Sequence, residues 1–287
     1  MKKHAYANIT ATELKGAPVL VVATRDGAQA TISLLGGQII HWQPAGGRPW
    51  LYLSETARLD GGAAIRGGIP VCFPQFAGQG PLPKHGLVRT LPWALIEERQ
   101  DKDTVMLTLG LASSRQTEAL WPFSFDLELT VGIGANRLDV ELAVSNTGDA
   151  PFAFTGALHT YLHVAEVELA RLEGLKGRSY RDKRDDDRVK TEAHEAIEVD
   201  GPVDRIYTRT TRPLQLTDGG RQLQIVHEHF PDTVVWNPWI EGAAALPDMP
   251  DKDFRRMLCV EAAVADAPIE LEADASWWGR QSLIDVS

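Results

Sequence analysis

Residues 125–146 read FDLELTVGIGANRLDVELAVSN. Apolar side chains fall on alternate positions, at Phe125, Leu127, Leu129, Val131 and Ile133, then at Leu138, Val140, Leu142 and Val144. A period of two puts one set of side chains on one face of a β-strand, whereas an amphipathic helix needs a period near 3.6. Gly134-Ala135-Asn136 separates the two runs and suits a hairpin turn.

The same grammar extends in both directions. Upstream, Val19–Thr24, Ala30–Leu35, Gln38–Gln43, Trp93–Glu98 and Thr104–Leu111 read as strands, punctuated by Asp26-Gly27, Gly36-Gly37 and the polar run ERQDKD. Downstream come Phe152–Val164, then Leu214–Thr217 and Gln222–His227 around Asp218-Gly219-Gly220. Thr233–Asn237, Met257–Val264, Ile269–Glu272 and Trp277–Ile284 complete the series. Helical periodicity is weak, and only Ser114–Leu120, before Trp121-Pro122, suggests a short helix. Between Arg171 and Pro202 the composition shifts to charge, which reads as a solvated loop and edge region. Many short strands with few helices specify an all-β fold, a large antiparallel β-sandwich. No linker divides the chain, so residues 1–287 are expected to form a single domain.

The 287 residues carry a formal net charge of -10, which argues against general nucleic-acid binding. No Rossmann fingerprint or phosphate-binding loop is present, and no CxxC or Cys/His metal spacing. Cys72 and Cys259 lie in apolar settings that suit buried free thiols. The N-terminus has two lysines with no apolar run after them, unlike a secretory signal. No stretch approaches the length of a membrane span, so no membrane association and a cytoplasmic location are expected.

One segment breaks the strand grammar. Residues 65–89, IRGGIPVCFPQFAGQGPLPKHGLVR, are dense in Gly and Pro and contain no acid. Arg66, Lys84, His85 and Arg89 make it an island of positive charge in an acidic chain, suited to a small anion. Long ordered loops of this kind tend to be functional, although a structural loop with a solvated basic edge has the same composition. Later segments hold further candidates. His159 interrupts an apolar, aromatic strand in ALHTY, Asp204 lies in VDRIY, and Glu261 in LCVEAA is surrounded by apolar or small residues. Buried glutamates are rare unless paired or functional. Taken singly, His159 reads equally well as a hydrogen-bonded core residue, and Glu261 as a solvent-facing residue of an edge strand. The pairs His159/His163 and His227/His229 lack a third ligand at known spacing, so no metal is expected. Trp236, Trp239, Trp277 and Trp278 are core candidates, any one of which would also serve as a sugar-stacking wall.

Taken in order, IRGGIPVCFPQF, LPKHGLVR, ALHTYLHV, VDRIY, VVWNPW and MLCVEAA resemble the hexose-6-phosphate mutarotases. That family is also called glucose-6-phosphate 1-epimerase and is related to the aldose 1-epimerases, including galactose mutarotase. The resemblance covers nearly the whole chain, from about Val19 onward. It implies a β-sandwich, in agreement with the strand pattern, and interconversion of sugar anomers without metal or redox cofactor. It places the catalytic histidine on His159 and the catalytic glutamate on Glu261. It places substrate-binding residues on Arg66, His85, Arg89 and Asp204, with Lys84 at a family position that is polar but altered here. The C-terminal segment LEADASWWGRQSL lacks the Pro-Gly turn the family would lead one to expect before the tryptophans. The implied ligand is a small-molecule sugar phosphate, bound by a monomer. In the implied chemistry a Glu261 carboxylate takes the anomeric proton while a His159 imidazolium protonates the ring oxygen. Two other readings remain open on the residues alone: an aldose 1-epimerase acting on unphosphorylated sugar, and a non-catalytic carbohydrate-binding module.

Overall fold

A computed structural model describes residues 7–287. The two N-terminal lysines lie outside the described residues. Three antiparallel sheets, of nine, eight and four strands, account for most of the chain.

The diagnostic hairpin is present as read. Strands Phe125–Ile133 and Arg137–Asn146 pair from Phe125↔Asn146 to Ile133↔Leu138. The second strand alternates buried and half-exposed residues without a break. This hairpin lies within the nine-stranded sheet, whose inner face supplies Leu127, Leu129, Val140 and Leu142 to the main core. Facing it across that core, the eight-stranded sheet supplies Leu158, Val235, Leu258, Val260, Ala262 and Val264. Two sheets sharing one apolar interior make a β-sandwich.

Several elements differ from the sequence expectation, each for a local reason. Met257–Val264 and Ile269–Glu272 are one strand, Met257–Leu271, whose exposed middle hid its continuity. Phe152–Val164 is two strands, Phe152–Leu158 and Tyr161–His163, parted at His159-Thr160. The charged region 171–202 is more regular than a loop. It contains Arg171–Glu173, Ser179–Asp182, Arg188–Thr191 and Ala196–Ile197. Arg188–Thr191 does form an edge of the eight-stranded sheet, and an edge strand with a wet outer face needs no apolar alternation. Ala7–Leu14, mostly exposed, escaped detection for the same reason. The short helix expected at 114–120 is Arg115–Glu118, capped by the Ser114 side chain.

The loop 65–89 is fastened to the eight-stranded sheet by its backbone. Tyr161 donates to Gly68 O, His159 to Pro70 O and Thr155 to Pro74 O, at 2.9, 2.9 and 3.0 Å. The prolines cost little here, because their carbonyls accept where their missing N–H groups are not needed. Gly67 has φ 114°, and a Cβ there would stand 2.4 Å from the Tyr52 carbonyl oxygen, so only glycine fits.

Candidate functional site

Strand alternation builds the site. On the strand Met257–Leu271, Val260 and Ala262 point into the core, so Cys259, Glu261 and Ala263 point to the opposite face. Register carries that face sideways: Val234 lies beside Glu261, and Trp236 beside both Cys259 and Asp204. Cys72, Phe76, Ala157, Ile206, Val234, Ala263 and Ala265 form its apolar floor. The Gly/Pro loop then folds over this face and encloses a cavity.

All of the residues expected at the site line that one cavity: Arg66, Lys84, His85, Arg89, His159, Asp204 and Glu261. Glu261 is 1% exposed and His159 7%. The alternative of a solvent-facing edge glutamate is thereby corrected. His159 Nδ1 stands 3.3 Å from Glu261 Oε1. The approach is close enough for an ion pair, but its angles do not make a hydrogen bond. His159 Nδ1 and Glu261 Oε2 are both buried without a hydrogen-bond partner. Unpartnered buried polar atoms at the wall of a cavity are free to bond whatever occupies it. The His159 ring stacks on Tyr161, with centroids 4.7 Å apart and planes 8° apart, which fixes its orientation.

Burial drives the charge state of the pair. It lowers the His159 pKa well below 6.5, helped by the charges of His85, Arg66 and Arg89. It raises the Glu261 pKa well above 4.5, with Asp204 adding to the effect and Lys84 opposing it. The empty cavity therefore favours a neutral imidazole beside a protonated carboxyl. The sequence expectation of a carboxylate beside an imidazolium is the distribution that burial disfavours. His85 is neutral too, since burial, Arg89, Lys84 and Arg66 push it down to about 3. Its Nδ1 accepts from the Ala77 backbone N–H at 3.3 Å, which leaves the ring proton on Nε2. Cys72 Sγ lies 3.2 Å from the same Nδ1.

The cations divide into two kinds. Arg66 arrives already engaged: Nε donates to Asp248 Oδ1 at 3.1 Å and Nη1 to the Tyr161 hydroxyl at 2.9 Å. Among the described residues Arg89 donates only to a backbone carbonyl, that of Lys84 at 2.8 Å, and has no paired carboxylate. Lys84 is exposed at the rim, and Lys183 reaches the cavity from the turn after Ser179–Asp182, paired with Asp187 at 3.0 Å. Burial raises the Asp204 pKa against the opposing charges of Lys183, Lys84 and Arg184.

Lys183, Asp248 and Tyr161 were not singled out from sequence, and Trp236 was only one of four candidate tryptophans. Trp236, edge-on to His159 at 6.1 Å between centroids, is the tryptophan of the four that lines the cavity. Trp277 packs against Phe154 and Phe230 instead. Among the described residues, His159, Cys259 and Glu261 offer donor atoms within 4.8 Å of one another, a set a divalent cation could use. The field of Arg66, Lys84, Arg89 and Lys183 opposes one.

Comparisons with known proteins bear on the family and the fold. The sequence model of the family described as aldose 1-epimerase matches residues 18–283. A relative from Cenchrus ciliaris, named "Putative glucose-6-phosphate 1-epimerase", is 34% identical over 267 residues, covering 90% of this chain and 81% of its own. A relative of the same name from Salmonella typhimurium is 34% identical over 259 residues, covering 87% and 84%. A crystal structure described as a "putative mutarotase (YeaD)" from Salmonella typhimurium superposes with a TM-score of 0.90 at 29% identity, over 99% of this chain and 95% of that one. With a family match across almost its full length and a sandwich that superposes on a mutarotase, the chain belongs to the aldose 1-epimerase family.

Proposed function

We propose that the protein interconverts the α and β anomers of a hexose 6-phosphate, D-glucose 6-phosphate foremost, using His159 and Glu261 as the proton-transfer pair. The observation that carries this is the composition of one cavity: a buried, mutually facing His/Glu pair at depth, and Lys84, Arg89 and Lys183 toward the outside. A pure binding module has no need of a matched acid and base.

Ring opening breaks the bond between C1 and the ring oxygen. Glu261 removes the proton from the anomeric hydroxyl, whose oxygen becomes the aldehyde carbonyl. The C–O bonding pair goes to the ring oxygen, which takes its proton from His159. Rotation about C1–C2 presents the other carbonyl face, and the two residues close the ring in reversed roles. Each positioned proton transfer is worth roughly 10²–10⁴-fold. The open-chain state leaves Glu261 protonated and His159 neutral, the distribution that burial favours. The ionised pair that starts the step is the one burial disfavours, so the bound sugar must supply hydrogen bonds that hold Glu261 as carboxylate and His159 as imidazolium.

His85, holding a proton on Nε2, suits hydrogen bonding to the ring oxygen or a neighbouring hydroxyl, and Asp204 to a sugar hydroxyl. Arg89 offers the phosphate a guanidinium fork with Lys84 beside it. Arg66, oriented by Asp248 and Tyr161, contributes a fixed donor with less net charge. A monomer of a single domain belongs to this reading, and two buried free thiols suit the cytoplasm. No helix among the described residues is long and apolar enough to cross a membrane.

NMR exchange spectroscopy of the anomers tests the reading with glucose 6-phosphate and glucose in parallel. Faster exchange with the phosphorylated sugar is expected. Preference for plain glucose would make the protein an aldose 1-epimerase of neutral sugars, and no acceleration of either would make it a binding module.

A further inference from the structure

Behind the His159–Glu261 pair, on the core side of the sheet, runs a buried polar seam that the chemistry above does not use. Gln281 belongs to the strand Ser276–Asp285 of the opposite sheet and is fully buried. Its Oε1 accepts a hydrogen bond from the Thr160 hydroxyl, and its Nε2 donates to the Val260 carbonyl at 3.0 Å. Thr160 follows His159 in the chain and Val260 precedes Glu261. One amide therefore grips the immediate neighbours of both residues. The Val260 N–H also donates to the Thr160 carbonyl at 3.1 Å, so the two segments are tied in depth as well as side by side.

The seam has one consistent proton arrangement. A carbonyl can only accept, so the Gln281 nitrogen must face Val260, and the amide cannot be turned around. That nitrogen also lies 3.0 Å from His227 Nε2, which must then accept. The His227 proton sits on Nδ1, 3.2 Å from the Thr233 hydroxyl, itself 2.8 Å from Thr210 Oγ1. The links from Thr160 through Gln281 to His227 and Thr233 are thus directional, and a buried network linked this way favours one geometry. Burial without a partnering acid keeps His227 neutral, down to about 4.

We infer that Gln281, held by His227, is a positioning residue that fixes the separation of His159 and Glu261 from behind the sheet. The inference rests on the proposed role of that pair. Reacting groups must be placed to a fraction of an ångström, and a displacement of about 1 Å can cost 10²-fold in rate.

The test compares Thr160→Val, Thr160→Ser and Gln281→Leu, so that a poorly folding Gln281→Leu does not decide the matter alone. Thr160→Val keeps shape and removes the hydroxyl; Thr160→Ser restores it. We expect kcat for glucose 6-phosphate to fall about tenfold or more in Thr160→Val and Gln281→Leu, with KM within about twofold, and to recover in Thr160→Ser. The ¹⁵N shifts of the His159 ring, read independently of turnover, should move in the first two variants and return in the third. Wild-type kcat in Thr160→Val, or His159 shifts unmoved in both impaired variants, overturns the inference. A wild-type protein that exchanges no anomers would refute the proposed function instead, while the ring shifts would still decide whether the seam sets the position of His159.

Discussion

The two ends of the cavity are built on opposite principles. At depth, Glu261 comes from inside a strand and His159 from the break beside it; both are almost fully buried, and burial favours their neutral forms. At the rim, Lys84 comes from the Gly/Pro loop, Arg89 from the short 3-10 helix Val88–Thr90 at its end and Lys183 from a turn, all outside the sheet. The deep end has a fixed geometry that suits proton transfer, where position decides rate. The rim has charge and reach, which suit capture of an anion from solution. Each set of groups would be ineffective in the other's place: a buried unpaired lysine would lose its charge, and an exposed His/Glu pair would lose its orientation.

The largest effects are expected at depth. Glu261→Gln keeps the shape and removes the proton acceptor, and His159→Asn removes the transfer partner. Each should lower the anomer exchange rate about 10²–10⁴-fold, with glucose 6-phosphate affinity by calorimetry largely retained. Near-normal exchange in either variant would make that residue structural and erase the distinction between the two ends.

That deep end was visible in the sequence because His159 and Glu261 are polar intrusions in apolar runs, where any polar side chain needs a reason. The sandwich was visible in residues 125–146 because one wet and one dry face force alternation. The same logic explains what stayed hidden. Edge strands such as Arg188–Thr191 and Ala7–Leu14 have little buried face, so no alternation records them. Asp248 sits in the ordinary polar run LPDMPDKD, and nothing in the sequence ties it to Arg66. Lys183 lies in a mixed-charge run that reads as surface, and it comes to the rim only through the pairing of Ser179–Asp182 with Val203–Tyr207. Gln281 alternates correctly as an inward residue, and a glutamine at an inward position was the available signal.

Effects of intermediate size should separate the rim from the deep end. Hydrogen bonds to charged groups contribute about 1.5–3 kcal/mol. Arg89→Ala should therefore weaken glucose 6-phosphate binding roughly ten- to a hundredfold, by the rule of tenfold per 1.4 kcal/mol. Exchange of plain glucose should hardly change. Arg66→Ala sharpens the contrast, because losing the Tyr161 contact loosens the ring stacked on His159, so both sugars should suffer. Kinetics on the two sugars at low salt would reveal this. Equal losses in Arg89→Ala would mean that it supports the loop and does not read the phosphate.

The smallest expected effect is on stability, and it has the opposite sign. The folded-state pKa of Glu261 is raised above 4.5, so above that pH the unfolded carboxyl ionises while the folded one keeps its proton. This group's contribution is therefore lost as pH rises from about 4.5 through the raised value. Glu261→Gln removes that penalty. Its Tm should exceed that of the wild type by an amount that grows with pH, on the order of 2–4 °C for each kcal/mol relieved. Differential scanning calorimetry across that range would show it. A gap that narrows with rising pH would mean that the carboxyl is ionised in the fold.

The proposed function divides the cavity into a deep end that opens the sugar and a rim that reads its phosphate. The most direct test is anomer exchange by NMR for the wild type, Glu261→Gln and Arg89→Ala, each on glucose 6-phosphate and on glucose. Glu261→Gln is expected to lose exchange of both sugars by similar factors, and Arg89→Ala to lose it for the phosphorylated sugar alone. Loss confined to one sugar in Glu261→Gln, or equal loss of both in Arg89→Ala, would contradict it.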